Sequence, residues 1–199
     1  MGLKRFGTSI GKAVANDPQN KGDFGEMIIA SLFSPKIFGS EEVFIINNIY
    51  FDTGVSTHQI DHVVIYKTGI FCIETKNIQG RIMGDDTSEQ WLILNNKRKY
   101  FMLNPIIQNV THVKVLNAFF ESRYSIHPVL VFIKGNKPKS KHDYVLNINE
   151  IIDYVKNYKC DAGELTNEEM KNIYTSLMDY KNSLNITRAE HIYDVKNHK

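Results

Sequence analysis

Cysteine is scarce in this chain: two in 199 residues, Cys72 inside an apolar run and Cys160 far away among polar residues. Neither has a partner at metal-ligand spacing, which excludes a disulfide scaffold and a Cys-based zinc site and suits a reducing, cytoplasmic setting. Long apolar runs are absent, since no stretch approaches the roughly 18 residues that a membrane-spanning helix needs. The opening Met1-Gly-Leu-Lys-Arg-Phe6 has basic residues with no sustained apolar segment behind them, so it does not read as a signal peptide. Phe6 also stands where a myristoylation pattern needs Ser or Thr, and no membrane partner is expected. Charge of one sign is lacking too, with 24 Lys and Arg against 22 Asp and Glu and a net charge of +2. That balance is too small to argue for a nucleic-acid partner by itself. Residues 1–21 carry +3, residues 22–135 carry −1 and residues 136–199 are neutral. Internal repeats and low-complexity segments are absent as well.

What is present is an ordinary globular composition, 42% apolar and 23% charged. At about 150 residues per domain the length predicts one domain with a small appendage. Residues 1–21 read as a polar, basic arm, residues 22–147 as the core and residues 148–199 as a helical C-terminal extension. Phe24, Met27, Ile28 and Leu32 have helical spacing, with Asp23 as N-cap, and Ser34-Pro35 ends that helix. Three β-type runs follow at Val43–Tyr50, Gln59–Tyr66 and Ile70–Asn77, the last two joined by the turn Lys67-Thr-Gly69. A second hairpin group covers Arg81–Met83, Trp91–Leu94 and Tyr100–Met102. Pro105 opens a helix over Ile106–Phe120 with Ile106, Val110, Val113 and Leu116 or Asn117 on one face. A buried strand at Val129–Ile133, a basic loop at Lys134–Lys141 and a short strand at Tyr144–Leu146 come next. Helices at Asn149–Tyr158 and Thr166–Asn182 close the chain, the latter with Thr166 and Glu169 as a capping box. This order is that of a mixed α/β domain, with helices on a central sheet.

The chemistry sits on the hairpin. Alternation along Ile70–Asn77 puts Ile70, Cys72, Glu74 and Lys76 on one face, and in the preceding strand it groups Asp61 with Gln59, Val63 and Ile65. Asp61 and Glu74 lie eight and five residues from Gly69, so their meeting calls for diagonal reach or a bulge. Two carboxylates on one sheet repel in a low dielectric, and a divalent cation removes that cost. Oxygen ligands without a Cys/His cluster point to Mg²⁺, or Mn²⁺, rather than zinc. Lys76 would then orient an attacking water or stabilise developing charge, a coherent set for phosphodiester hydrolysis.

Gly25-Glu26, Gln59-Ile-Asp-His-Val-Val64, Gly69-Ile-Phe-Cys-Ile-Glu-Thr-Lys-Asn77 with Gly80, Trp91, and Asn104-Pro-Ile-Ile-Gln-Asn109 together resemble the nuclease-related domain (NERD). That domain is a branch of the PD-(D/E)XK, restriction-endonuclease-like superfamily. The resemblance spans roughly Lys21 to Ile133 and implies an α-β-β-β-α-β core with a mixed central sheet flanked by helices. It implies a Mg²⁺-dependent deoxyribonuclease acting on DNA, with Asp61 and Glu74 as metal ligands and Lys76 as the catalytic lysine. Glu26 resembles the extra acidic residue that completes the metal site, and Gln108 a polar helix residue lining the pocket. Ile60 stands where the superfamily pattern has Pro.

Each of these residues has a plainer reading. Glu74 and Lys76 could be a solvated ion pair worth less than about 1 kcal/mol. Glu26 in an early helical turn is favoured by the macrodipole regardless of function. His62 reads as a packed histidine, and Trp91 as core unless an exposed ring stacks on a base. Lys97, Arg98 and Lys99 at the hairpin tip, and His112 one turn after Gln108, are the candidates for phosphate contact. The rival functions are a catalytically inactive nucleic-acid-binding module and a partner-docking domain. The stripe Ile173, Leu177 and Tyr180 or Lys181 could pack back onto the sheet or form a homodimer interface.

Overall fold

The computed structural model describes residues 18–96, 98–134 and 137–184, with side chains from residue 24 onward. Lys97 and most of the expected N-terminal arm therefore lie outside the described residues. A five-stranded sheet runs in the order β1 (Phe44–Asp52), β2 (Thr57–Tyr66), β3 (Gly69–Asn77), β7 (Ile126–Lys134), β8 (Val145–Asn147). β1, β2 and β3 pair antiparallel, whereas β3–β7 and β7–β8 pair parallel, so the sheet is mixed. Between β3 and β7 the chain makes a separate three-stranded sheet of β4 (Arg81–Met83), β5 (Gln90–Asn95) and β6 (Arg98–Leu103), then helix α3 (Pro105–Phe119).

Helices cover both faces of the large sheet. On one face Ile46, Val63, Ile65 and Cys72 pack against Leu116 and Phe120 at the end of α3 and against α5 (Asn167–Ser183). On the other, Val64, Phe71, Ile73 and Val131 pack against α1 (Pro18–Leu32), the short α2 (Pro35–Phe38) and α4 (Ile151–Asn157). β3 is covered on both sides, and Gly69 through Glu74 are all buried, as a central strand with a parallel neighbour requires. None of the helices among the described residues is long and apolar enough to cross a membrane.

The C-terminal helices are built into this core. Met170, Ile173 and Leu177 of α5 are buried against the sheet, each contributing about 2 kcal/mol by area. Tyr180 stacks on Phe51 with ring centroids 4.9 Å apart. The apolar stripe of α5 thus packs back onto β1 and β2, the first of the two fates open to it. The helix opens on the expected capping box of Thr166 and Glu169.

Two helices differ from the reading of the sequence. α1 begins at Pro18, so Asp23 lies inside it rather than capping it. Its buried line runs through Gly25, Ile29 and Phe33, while Phe24 and Met27 are exposed. Gly25 decides this, because a Cβ there would lie 3.3 Å from Asn77 Cβ and 3.4 Å from Ile133 Cγ1. The missing side chain lets the helix lie close on β3 and β7. In α3, Val110 is exposed and the buried face includes the polar Asn109 and His112. Asn109 Nδ2 donates to Cys72 O at 3.1 Å and Val129 O at 3.0 Å, pinning the helix over the seam between β3 and β7.

Candidate active site

The β2–β3 hairpin turns through Lys67 and Thr68 alone, with Tyr66 paired to Gly69. Gly69 holds φ at 144°, and a Cβ there would meet the His127 ring at 2.9 Å, so glycine fixes this turn. The register then runs without a shift from Tyr66–Gly69 to His62–Ile73. The regular pairs stop there, one residue short of Asp61 and Glu74, which stand at the positions this register would set opposite each other. At that level the ladder yields to a side chain: Thr75 N–H donates to Asp61 Oδ2 at 2.9 Å.

Alternation also fails around Asp61. Ile60 packs in the same cluster as Val63 and Ile65, and on β1 Ile46 and Ile49 share that cluster. Asn48, between those two isoleucines, sits at a positive φ of 52° and accepts a hydrogen bond from Gln59 Nε2 at 2.8 Å. Gln59 is therefore corrected out of the expected grouping with Val63 and Ile65, since its neighbour Ile60 lies on their side and the regular backbone of β1 is interrupted at Asn48.

Glu74 is 2% exposed at the end of the apolar run of β3. Lys76 Nζ donates to Glu74 Oε1 and to Gln108 Oε1 of α3 at 3.3 Å. His112, one turn further along α3, brings Nδ1 to 3.4 Å from Glu74 Oε2, but without hydrogen-bond alignment, and both atoms are buried without a hydrogen-bond partner. Burial and the neighbouring Glu74 push the Asp61 carboxyl well above the usual carboxylate range, and Glu26 adds to the push. Burial works on Glu74 in the same sense, but the Lys76 ammonium and His112 outweigh it and hold Glu74 low. Burial opposes the charge on Lys76, yet Glu74 and Asp61 overcome it and keep the ammonium firmly protonated. One negative and one positive charge are stable here, and the second carboxylate is not.

That frustration is what a hard divalent cation relieves. Asp61 and Glu74 supply oxygens at one level of the sheet, and Glu74 Oε2 is left over. Mg²⁺ is commonly held by one or two carboxylates, with water and phosphate oxygens completing the shell. The donor set fits.

The remaining expected residues divide. Gln108 joins the site through Lys76. Glu26, half-buried on α1, is felt electrostatically by Asp61. Among the described residues, however, no three His, Cys, Asp or Glu side chains gather with metal-holding geometry. Glu26 is thus not brought in as a third ligand. His112, expected as a phosphate contact, is 4% exposed and faces Glu74 instead. Arg98 and Lys99 are exposed on β6, away from the carboxylates in the sequence of elements. Trp91 is core, its ring stacked on Phe132 and its Nε1 donating to Asp85 O at 2.8 Å. His62 is fully buried with Nδ1 2.7 Å from Asn47 Oδ1, and burial lowers its pKa to about 4.

Three contributors have no role assigned from the sequence, although the Asn104–Asn109 block contains two of them. His58 faces His112 edge-on, with ring centroids 6.3 Å apart, and holds Ser56 Oγ at 2.9 Å from Nε2. Asn109 docks α3, as described. Asn104 caps α3 by accepting from Ile106 N at 2.9 Å, while its Nδ2 donates to Ser88 O at 2.8 Å. The Asn-Pro-x-x-Gln-Asn block thus anchors the helix that presents Gln108. Buried asparagines of this kind carry no periodic signal by which to find them.

A search of solved structures finds no match. Among curated proteins the chain is 30% identical over 168 residues to an uncharacterized protein of Bacillus anthracis, covering 81% of this chain and 77% of the relative. The family model described as nuclease-related domain matches residues 21–133, the segment that holds Glu26, Asp61, Glu74, Lys76 and Gln108. More than half of the chain matches that model, and the chain belongs to the nuclease-related domain (NERD) family, with which a PD-(D/E)XK assignment is consistent.

Proposed function

We propose that this chain is a divalent-metal-dependent nuclease that hydrolyses phosphodiester bonds in DNA, in the cytoplasm, with Mg²⁺ as the physiological ion and Mn²⁺ as a substitute. The observation that carries the reading is the placing of Asp61, bonded to Thr75 N–H, beside Glu74 on the neighbouring strand, with Lys76 donating to Glu74. Asp61 and Glu74 would hold the ion, which when bound supplies charge neutralisation at the phosphate and a more acidic water. Thr75 N–H fixes the Asp61 carboxylate. Lys76 places a buried positive charge where the attacking water and the developing phosphate charge would be stabilised. Gln108 limits where that ammonium can sit. Glu26 would add negative charge beside the ion.

A DNA-binding domain without turnover is the competing reading, favoured by the lack of a third ligand among the described residues. Cleavage of supercoiled, linear and single-stranded DNA by the wild type and by Lys76→Ala, each in Mg²⁺ and in EDTA, separates the two. The nuclease reading expects metal-dependent cutting that Lys76→Ala reduces at least about 100-fold, the scale on which such electrostatic groups act. Equal cutting by both, or binding with no cutting under any condition, overturns it.

A further inference from the structure

Residues 78–103 are the excursion between Lys76 on β3 and Gln108 on α3, and they form the small sheet. Its inner face is core: Trp91 and Ile93 are 0% exposed, and Ile82 and Met102 pack beside them. Strand parity then turns the alternate residues outward. The register aligns them in rows, Met83–Leu92–Phe101 and Arg81–Leu94–Lys99, with Gln90–Leu103 at the end near α3. Phe101 is 62% exposed, Leu103 58% and Met83 44%. A phenyl ring this open, beside two further open apolar side chains, is a patch that calls for an occupant.

Charge says which one. β4, β5 and β6 contain Arg81, Arg98 and Lys99 and no acidic residue. Of the acids in the connecting loop, Asp85 Oδ1 accepts from Thr87 N and Ser88 N, and Asp86 Oδ2 accepts from Lys141 N. Glu89, exposed just before β5, is the remaining acid of that loop. An apolar, aromatic surface between cations suits unpaired nucleotides, whose bases stack on a ring while phosphates meet flanking charges. The chain runs from Leu103 straight into the Asn104 cap of α3, with Gln108 in the following turn, so the surface is tied to the site without a flexible link.

We propose that the outer face of β4–β6 is a platform for single-stranded nucleic acid, with Phe101 stacking a base and Arg81 and Lys99 holding the neighbouring phosphates. This rests on the nuclease reading and names its substrate as unpaired strand. Fluorescence anisotropy with a labelled oligodeoxythymidylate of about 16 nucleotides, against a labelled mixed-sequence duplex, tests it on the full chain in EDTA, where no cutting occurs. The expected result is tighter binding of the single strand, weakened about tenfold by Phe101→Ala and restored by Phe101→Trp. Arg81→Gln with Lys99→Gln lowers the slope of log K against log salt by about 1.4, at about 0.7 per phosphate contact. Exposed positions leave the fold intact, and unchanged melting curves verify it. Absence of binding, preference for the duplex, or binding indifferent to Phe101→Ala overturns the platform. So does sedimentation showing a wild-type dimer that Phe101→Ala dissolves, since the face then belongs to a second copy. Cutting in Mg²⁺ is scored separately: a chain that cuts but ignores Phe101 loses only the platform, and one that binds through Phe101 but never cuts loses only the nuclease reading.

Discussion

Thr75 and Asp61 are joined by a main-chain-to-side-chain hydrogen bond of 2.9 Å at the level where the β2–β3 ladder stops. The carboxylate takes a place that a backbone carbonyl holds elsewhere in the hairpin. It is therefore held rigidly opposite Glu74, in surroundings that penalise its charge. Rigid placement of a group in an unfavourable charge state is costly for stability and useful for binding a cation.

Asp61→Asn keeps the acceptor for Thr75 N–H and removes the charge. In EDTA at neutral pH the variant is expected to be at least as stable as the wild type, while stabilisation by added Mg²⁺ disappears. The sign follows from linkage. A carboxyl with a raised folded-state pKa binds more protons folded than unfolded, so its contribution declines as pH rises above the usual carboxylate value of 3.8. Urea unfolding with and without Mg²⁺ measures both effects, and a strongly destabilised Asp61→Asn would show that the charge itself is structural.

Lys76→Ala leaves Glu74 buried without its cation. Breaking such a pair from one side costs about 3 kcal/mol, so the variant should unfold at lower urea than the wild type in EDTA. Added Mg²⁺ should return part of that loss by supplying the missing charge. A Lys76→Ala protein as stable as the wild type in EDTA would mean that Glu74 is solvated.

His62 sets a separate pH dependence. Its pKa is lowered from 6.5 to about 4, so the folded state binds fewer protons than the unfolded one between those values. Its stabilising contribution is complete above 6.5 and is lost as pH falls toward 4. Between pH 7.5 and pH 5 the loss comes to about 2 kcal/mol. His62→Gln can keep the bond to Asn47 Oδ1 and should show a stability curve flatter by that amount in denaturant melts across this range.

Asn109→Ala removes two buried bonds, to Cys72 O and Val129 O. With no water to replace them, the expected cost is about 2–3 kcal/mol in urea unfolding. The same variant should reduce cleavage, because α3 carries Gln108 to Lys76.

Much of this was legible beforehand for a physical reason. β-branched runs and turn residues mark β1 to β3, and the short Lys67-Thr68 turn sets the register that brings Asp61 to Glu74. The capping box marks the start of α5. Helix faces were harder where polar or missing side chains decide them. α1 lies on Gly25, which adds nothing to an apolar stripe, and α3 lies on Asn109 and His112, which subtract from one. The positive φ of Asn48, where β1 loses its alternation, has no local sequence signal. The proximity of His58 and His112 follows from the docking of α3 on the sheet. Both are tertiary facts.

Calorimetric titration of the metal-free protein with Mn²⁺ tests most directly whether Asp61 and Glu74 form one cation site. The account predicts a saturable site in the wild type that is lost in Asp61→Asn and in Glu74→Gln and survives in Phe101→Ala. Absence of binding by the wild type, or binding by both carboxylate variants equal to that of the wild type, would contradict it.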